Sequence, residues 1–572
     1  MLTPRTRSLI LGMLAADLAV LVYLNALHNP FVYDDLIGVV RNSALVDGGG
    51  LGALLRQNVF RPVVSLSFAL DHALWGLAPP GYHVTSVLLH AVNAALVFVL
   101  ARRAVDDWRA RDAGVTLDGD VLAFVTAALF AVHPMMTEAV GYVSGRGDVL
   151  AATLALLALL TLRRGLTEPA WRAPGVALAV AAAATKEVAV VVVAVLFVWD
   201  RLLLDGDSLE KGATRRLVSW HLPVLGVAVL LGLARLAAFF LVERSTTSGA
   251  AGPALQAQPG VALRYLVLLL APVGQSLVHF VRPVTSPLDW RALLETAALA
   301  LLGVAAWRDR RRHPLTALGV AWFLLFLAPA AVVALHEPMA ERRVYLASVG
   351  VFLLVGFVGA YAWQSAGRRG RVAAVTAFAV ALAALGSLTL ARNLVWRDAI
   401  TLWSDAARKA PAAWSAHAGL ATALAEQGRC AEALPVYETA LRLRERPEVY
   451  SNYGICLAAQ RRLPEATRAF EHALALDPGY AMAHHNLGLV ALRMHDVETA
   501  HAHFVRAVSM RAGDAWWRQS LIRIYELEIR DPAKMLELCR AIVRVAGRET
   551  PGALACLERY ERRAGAAPGR GP

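Results

Sequence analysis

Long apolar runs alternate with short arginine-rich stretches over the first 390 or so residues. The runs cover Leu9–Leu27, Val84–Leu100, Val121–Val132, Val149–Leu162, Val176–Leu204, Leu217–Val242, Trp290–Trp307, Leu315–Leu335, Val344–Trp363 and Val372–Leu390. A helix needs about 20 apolar residues to cross a bilayer core of about 30 Å. The pattern therefore predicts an all-α, polytopic membrane domain of about eleven segments, with no strand periodicity. Val176–Leu204 is too short for two full crossings, which need about 40 residues, and it is interrupted by Thr185-Lys186-Glu187. Two partial helices with a tip at bilayer depth fit that length. A lysine there has to face water, a carboxylate or a bound anion, and an ion pair with the neighbouring Glu187 is one way to meet that need. Val261–His279 is apolar but broken by Pro272 and Gly274, so it reads as re-entrant or interfacial. The Gly-, Ser-, Thr- and Pro-rich Glu243–Gly260 before it reads as a loop.

From Asn393 the pattern changes to amphipathic helices with an internal period. Units begin near Trp414, Pro447 and Ala481. Small residues recur at Ala433, Ala466 and Ala500, and again at Ala440, Ala473 and Ala507. Aromatics recur at Tyr437, Phe470 and Phe504, and Ala421, Gly454 and Gly488 mark where paired helices cross closely. Several columns repeating in register resemble the tetratricopeptide repeat, whose stacked helical pairs form a solenoid with a peptide-binding concave surface. The expected division is a membrane domain over 1–392, with its first large polar loop at 28–82, followed by a repeat domain over 393–572. His484, His485, His495, His501 and His503 lack acidic or cysteine partners at ligand spacing, so no metal site is expected there.

Composition supports this division. The chain has 572 residues, 57% of them hydrophobic and 18% charged, with a mean hydropathy of +0.49. The net charge of +13 is nearly all arginine. That excess lies in short loops between apolar runs, which points to membrane orientation rather than nucleic-acid binding. The positive-inside rule places the N-terminus in the cytoplasm, the 28–82 loop outside and the repeats outside, as in the inner membrane of a bacterium. The first run has no small-residue cleavage site and reads as a retained anchor. All four cysteines lie in the repeat region, where buried thiols are the default and a Cys539–Cys556 bridge is the alternative in an extracytoplasmic setting.

Candidate chemistry starts at Asp34 and Asp35, an acidic pair just beyond the first span. Capping of the next helix is the plain reading of such a pair, and a catalytic carboxylate at a cavity mouth is the sharper one. The topology gathers other polar groups on the same face: the His133–Asp148 tip, Lys186, and Glu337 with Glu341-Arg342-Arg343.

These stretches resemble the transmembrane and tetratricopeptide-repeat-containing O-mannosyltransferases, which have the C-type glycosyltransferase membrane fold. The resemblance rests on FVYDDLIGVVRN at 31–42, RPVVSLSFAL to GYHVTSVLLH within 61–90, FAVHPMMTEAVGYVSGRGD at 130–148, TKE at 185–187 and AERRVYLASVG at 340–350, in family order and followed by the repeats. Ala347 stands where the pattern has proline. The resemblance implies inverting transfer of a sugar, mannose first among the candidates, from a polyprenyl-phosphate carrier to a hydroxyl of a secreted or envelope protein recruited by the repeats. Asp35 is then the expected base with Asp34 as alternate, and Arg146, Lys186 and Arg342 the expected phosphate ligands. His133, Glu138, Asp148, Glu187 and Glu341 are expected to orient those groups or bind the sugar. No cofactor beyond the lipid-linked donor is required, and a divalent metal is possible but not indicated. The rival readings are transfer to a lipid or glycan, and a non-catalytic repeat scaffold anchored in the bilayer.

Overall fold

A computed structural model describes residues 3–565 except 47–49, 60, 205–213, 215, 239–250, 283, 285, 287, 333–336, 512–514 and 548–551. The described residues are helical with no strand, and they form two compact units, Met1–Asp405 and Ala406–Pro572.

In the first unit, eight helices are long and apolar enough to cross a membrane, or nine counting one bent pair, among the described residues. The helix Pro4–Leu21 starts where the Thr3 hydroxyl accepts the Thr6 N–H and Pro4 fills a first-turn position that needs no donor. Pro79–Arg111 spans 33 residues, about 50 Å at 1.5 Å per residue. It outruns the hydrocarbon core, and its charged last turns, Arg102 to Arg111, fall beyond the apolar stretch. The bent pair is Gly119–Val132 followed by Pro134–Val140, turned by 54°. Pro134 forces His133 into an extended conformation (φ −72°, ψ 128°) and ends the first helix there. This bend delivers Glu138, Tyr142, Ser144 and Asp148 in quick succession to one end of the bundle.

The run around Lys186 consists of two partial helices, Arg172–Thr185 and Val192–Trp199, joined by Lys186 in an extended conformation and a short 3-10 turn. The short stretch Glu243–Gly260 departs from its reading as a loop: a helix runs Ala251–Leu270. Its start is rich in Ala, Leu and Gln, and Pro253 falls in the first turn, where a missing N–H costs nothing. Residues 243–250 lie outside the described ones. Past Leu270 the described residues are irregular up to Asp289, with Gly274 at φ +81°.

In the second unit, helical pairs follow the repeat period: Trp414–Glu426 with Cys430–Leu443, Pro447–Ala459 with Leu463–Leu476, and Ala481–Arg493 with Val497–Arg511. The recurring alanines at 433, 440, 466, 473, 500 and 507 are fully buried. A Cβ on Gly454 would lie 2.7 Å from the Phe470 ring, and one on Gly488 2.5 Å from that of Phe504, so only glycine admits the aromatic partner. The cysteines are not free thiols. Cys430 pairs with Cys456 and Cys539 with Cys556, each bridge joining two helices. Cys539–Cys556 is the alternative pairing of the sequence reading, whereas Cys430–Cys456 joins the helices Cys430–Leu443 and Pro447–Ala459 of consecutive repeats, which the spacing of the cysteines alone does not reveal.

Candidate functional site

The acidic pair splits into two unlike residues. Asp35 is fully buried, and its carboxylate accepts the Ser144 N–H at 2.7 Å, the Ser144 hydroxyl at 2.5 Å and the Val32 N–H at 3.3 Å. Burial pushes its pKa up to about 7, against the opposing effect of those hydrogen bonds. Asp34 is exposed. Its N–H donates to the Tyr142 hydroxyl at 3.1 Å, and its carboxylate is also held by that hydroxyl. Partial enclosure by the surrounding protein raises its pKa too, while Tyr142 and Arg342 act in the opposite sense. The residue before it, Tyr33, has φ +56°. A bulky residue in the left-handed region costs about 1–3 kcal/mol and persists only where its surroundings impose it.

Three cations, Arg61, Lys186 and Arg342, cluster together, and Arg342 lies within electrostatic reach of Asp34. Lys186 Nζ lies 2.5 Å from Asp148 Oδ1. Arg61 Nη2 donates to both oxygens of Glu187, at 2.9 and 3.2 Å. Arg342 pairs through Nη1 with Glu138, donates its backbone N–H to the same carboxylate at 3.2 Å, and reaches Glu337 at 3.6 Å. Lys186 lies within electrostatic reach of Arg61 and Arg342, and Arg342 within reach of Asp34. The self-contained Lys186–Glu187 pair is not formed. The extended backbone at Lys186 (φ −154°, ψ 132°) sends the two side chains to different partners.

Arg146, expected to bind phosphate, sits elsewhere. Its side chain is fully buried, with Nη1 2.5 Å from Asp71, Nη2 donating to the Tyr82 carbonyl at 2.7 Å and Nε to Ser86 at 3.3 Å. The guanidinium also stacks over Phe68 and Tyr82, 4.9 and 5.6 Å from their ring centres. All three nitrogens are engaged, so this arginine ties the helix Pro62–Trp75 to Pro79–Arg111. His133 is equally committed: Nε2 meets the Leu269 carbonyl at 3.1 Å and Nδ1 accepts the Met135 N–H at 3.2 Å. Glu341 is buried and holds the Ser276 N–H at 2.7 Å and His279 at 2.9 Å, fixing the irregular segment after Leu270. Asp34, Asp35, Glu138, Asp148, Lys186, Glu187 and Arg342 thus come together, whereas Arg146, His133 and Glu341 support from outside.

Sequence reading missed Ser144, Tyr142 and Arg61 as parts of this cluster. Ser144 and Tyr142 lie between residues already singled out, and Arg61 opens its own matched stretch, so proximity in sequence was the available signal. A Cβ on Gly145 would lie 2.4 Å from the Glu138 carbonyl, which requires glycine where the Ser144 turn doubles back. Among the described residues no group of three His, Cys, Asp or Glu side chains is placed to hold a metal ion. Beside the Arg342 segment lies an apolar cavity of about 340 Å³, walled by Pro259, Ala262, Tyr265, Leu327, Ala331 and Arg343 among others.

Comparison with known proteins follows this division. Tetratricopeptide-repeat family models match residues 383–445, 419–481 and 469–502. The protein O-mannosyl-transferase Tmtc1 of Drosophila melanogaster is 28% identical over 579 residues, covering 82% of this chain and 62% of the relative. The human protein O-mannosyl-transferase TMTC1 is 27% identical, covering 76% of this chain and 55% of the relative. The Drosophila Tmtc2 is 31% identical over 54% of this chain and 33% of its own length. The chain therefore spans about three fifths of the length of the first of these relatives. With its apolar helices and its repeats, the chain is similar along most of its length to these protein O-mannosyl-transferases.

Proposed function

We propose that the chain is a membrane glycosyltransferase that moves a sugar, mannose in the first instance, from a polyprenyl-phosphate carrier to a Ser or Thr hydroxyl of an extracytoplasmic protein, with inversion. The observation that carries this reading is the exposed Asp34 within electrostatic reach of Arg342, which itself clusters with Lys186 and Arg61. Attack by a hydroxyl needs a carboxylate to take its proton, and a departing lipid phosphate needs fixed cations. Asp34 is the base in this reading, because both Asp35 oxygens are occupied by Ser144 and Val32. Lys186 and Arg61 each spend only part of their donor capacity on Asp148 and Glu187, which leaves N–H groups for a phosphate. The apolar cavity beside Arg342 suits the first isoprene units of the carrier.

The repeats recruit the acceptor, and they and the acid loop face the extracytoplasmic side of the bacterial inner membrane. Two disulfides in the repeat region support that orientation, since such bridges persist in oxidising compartments. The test is purified full-length protein in nanodiscs with polyprenyl-phosphate mannose and secreted acceptor proteins, read by intact-mass spectrometry. A hexose increment that disappears with Asp34→Asn supports the reading. A hexose found only on lipid, or on nothing, overturns it.

A further inference from the structure

Tyr33 is held in its left-handed conformation from three sides. Its hydroxyl donates to Glu337 at 2.9 Å, its ring packs beside Tyr142 at 6.0 Å, and Trp403 meets it edge-on at 5.4 Å with the planes at 83°. Trp403 lies on the helix Ala399–Lys409, just beyond the last membrane-crossing helix. The same junction contributes a second aromatic: Trp396, fully buried, stacks on Tyr142 at 5.1 Å. Tyr142 is the residue whose hydroxyl holds Asp34. Polar ties fix the junction in place. Asn393 donates to the Val22 carbonyl at 2.9 Å and to Asn25 at 2.8 Å, and accepts from Asn29 at 3.1 Å. Arg392 and Asp405 form a buried pair at 2.6 Å.

We propose that Trp403 is a positioning residue for Asp34. It braces the Tyr33 ring so that the backbone keeps the left-handed turn that presents the Asp34 carboxylate toward Arg342. Glycine is the usual residue at such a dihedral because it has no Cβ, so a tyrosine there depends on what surrounds it. Trp403 supplies one side of that enclosure, and Tyr142, backed by Trp396, supplies another. Residues after the last span, where the repeat family model already matches, thereby act on the acid loop as well as on the acceptor.

The proposal rests on Asp34 being the base, and its test separates the two ideas. Hydrogen exchange of the 32–37 amides is followed in the full-length protein in nanodiscs, beside steady-state transfer. Trp403→Ala is expected to speed exchange of those amides while helices such as Pro79–Arg111 are unaffected, and to lower kcat roughly tenfold with donor KM unchanged. Trp403→Phe, which keeps an aromatic edge, should restore both. Faster loop exchange without any wild-type transfer would support the bracing role and sink the enzymatic reading. Unchanged loop exchange in Trp403→Ala, or an increase spread evenly over the chain, would overturn the proposal.

Discussion

Asp35 accepts two hydrogen bonds from a single residue, the N–H and the hydroxyl of Ser144, at 2.7 and 2.5 Å. The two ends of this contact come from the first polar loop and from the turn before the helix Arg146–Gly165. It fixes one member of the acidic pair and leaves the other, Asp34, exposed. Asp34→Asn should lower transfer by about 10²–10⁴-fold, the usual worth of a positioned base. Asp35→Asn keeps an acceptor oxygen for Ser144 and should cost less, with Ser144→Ala resembling it. Initial rates with a peptide acceptor distinguish the three, and equal losses in Asp34→Asn and Asp35→Asn would rule out the division of roles.

Ionisation of Asp35 links the loop to pH. Its pKa is raised by burial to about 7, from 3.8 in the open chain. The native loop therefore binds the proton more tightly than the unfolded one. The associated stability is fully present below about pH 4, declines as pH rises through 7 and is constant above it. Local opening measured by hydrogen exchange at Ser144 and Val32, corrected for intrinsic rates, should increase between pH 5 and 8 in the wild type. Asp35→Asn should flatten that profile.

Two basic residues of the 130–187 region should behave differently when neutralised. Lys186→Gln removes a cation that shares a site with Arg61 and Arg342, so the donor KM should rise and kcat fall while the protein stays monodisperse. Arg146→Gln strands the buried Asp71 and should destabilise the membrane unit by about 3–5 kcal/mol. Size-exclusion profiles and thermal melts in the same detergent separate the two outcomes.

The cavity bounded by Ala262 and Ala331 gives a chain-length prediction. Ala262→Trp fills it, and should raise the KM for long polyprenyl-phosphate donors roughly tenfold while leaving short, water-soluble isoprenyl donors nearly unaffected. Kinetics with a homologous series of donors provide the measurement. Equal losses for all chain lengths would point to damage at the Arg342 segment instead.

Much of this architecture was legible along the chain because it depends on spacing. The short Lys186 run becomes two partial helices by length alone, and the repeat columns fix which alanines are buried. The site was legible as a set of residues on one face, but their roles were not. Phosphate binding by Arg146 was a sound reading of charge, yet Asp71 lies 75 residues away and its match to Arg146 is visible only once the Pro62–Trp75 and Pro79–Arg111 helices pack. That Asp35 is the buried member of the acidic pair and Asp34 the exposed one was not legible for a related reason. Which of two adjacent carboxylates is buried depends on the left-handed turn at Tyr33, and no propensity predicts that for a tyrosine. Glu243–Gly260 misled through its prolines, which mark a loop in general; here Pro253 falls in the first turn of a helix and Pro259 lies inside it.

The two bridges in the repeat region give each molecule a chemical record of where it matured. A copy that inserts opposite to the proposed orientation keeps its repeats among reducing thiols, and Cys430, Cys456, Cys539 and Cys556 stay as four alkylatable groups. A copy in the proposed orientation offers none, since the described residues hold no free cysteine. Counting maleimide adducts on the intact chain would therefore read membrane sidedness molecule by molecule, without a tag or a fusion.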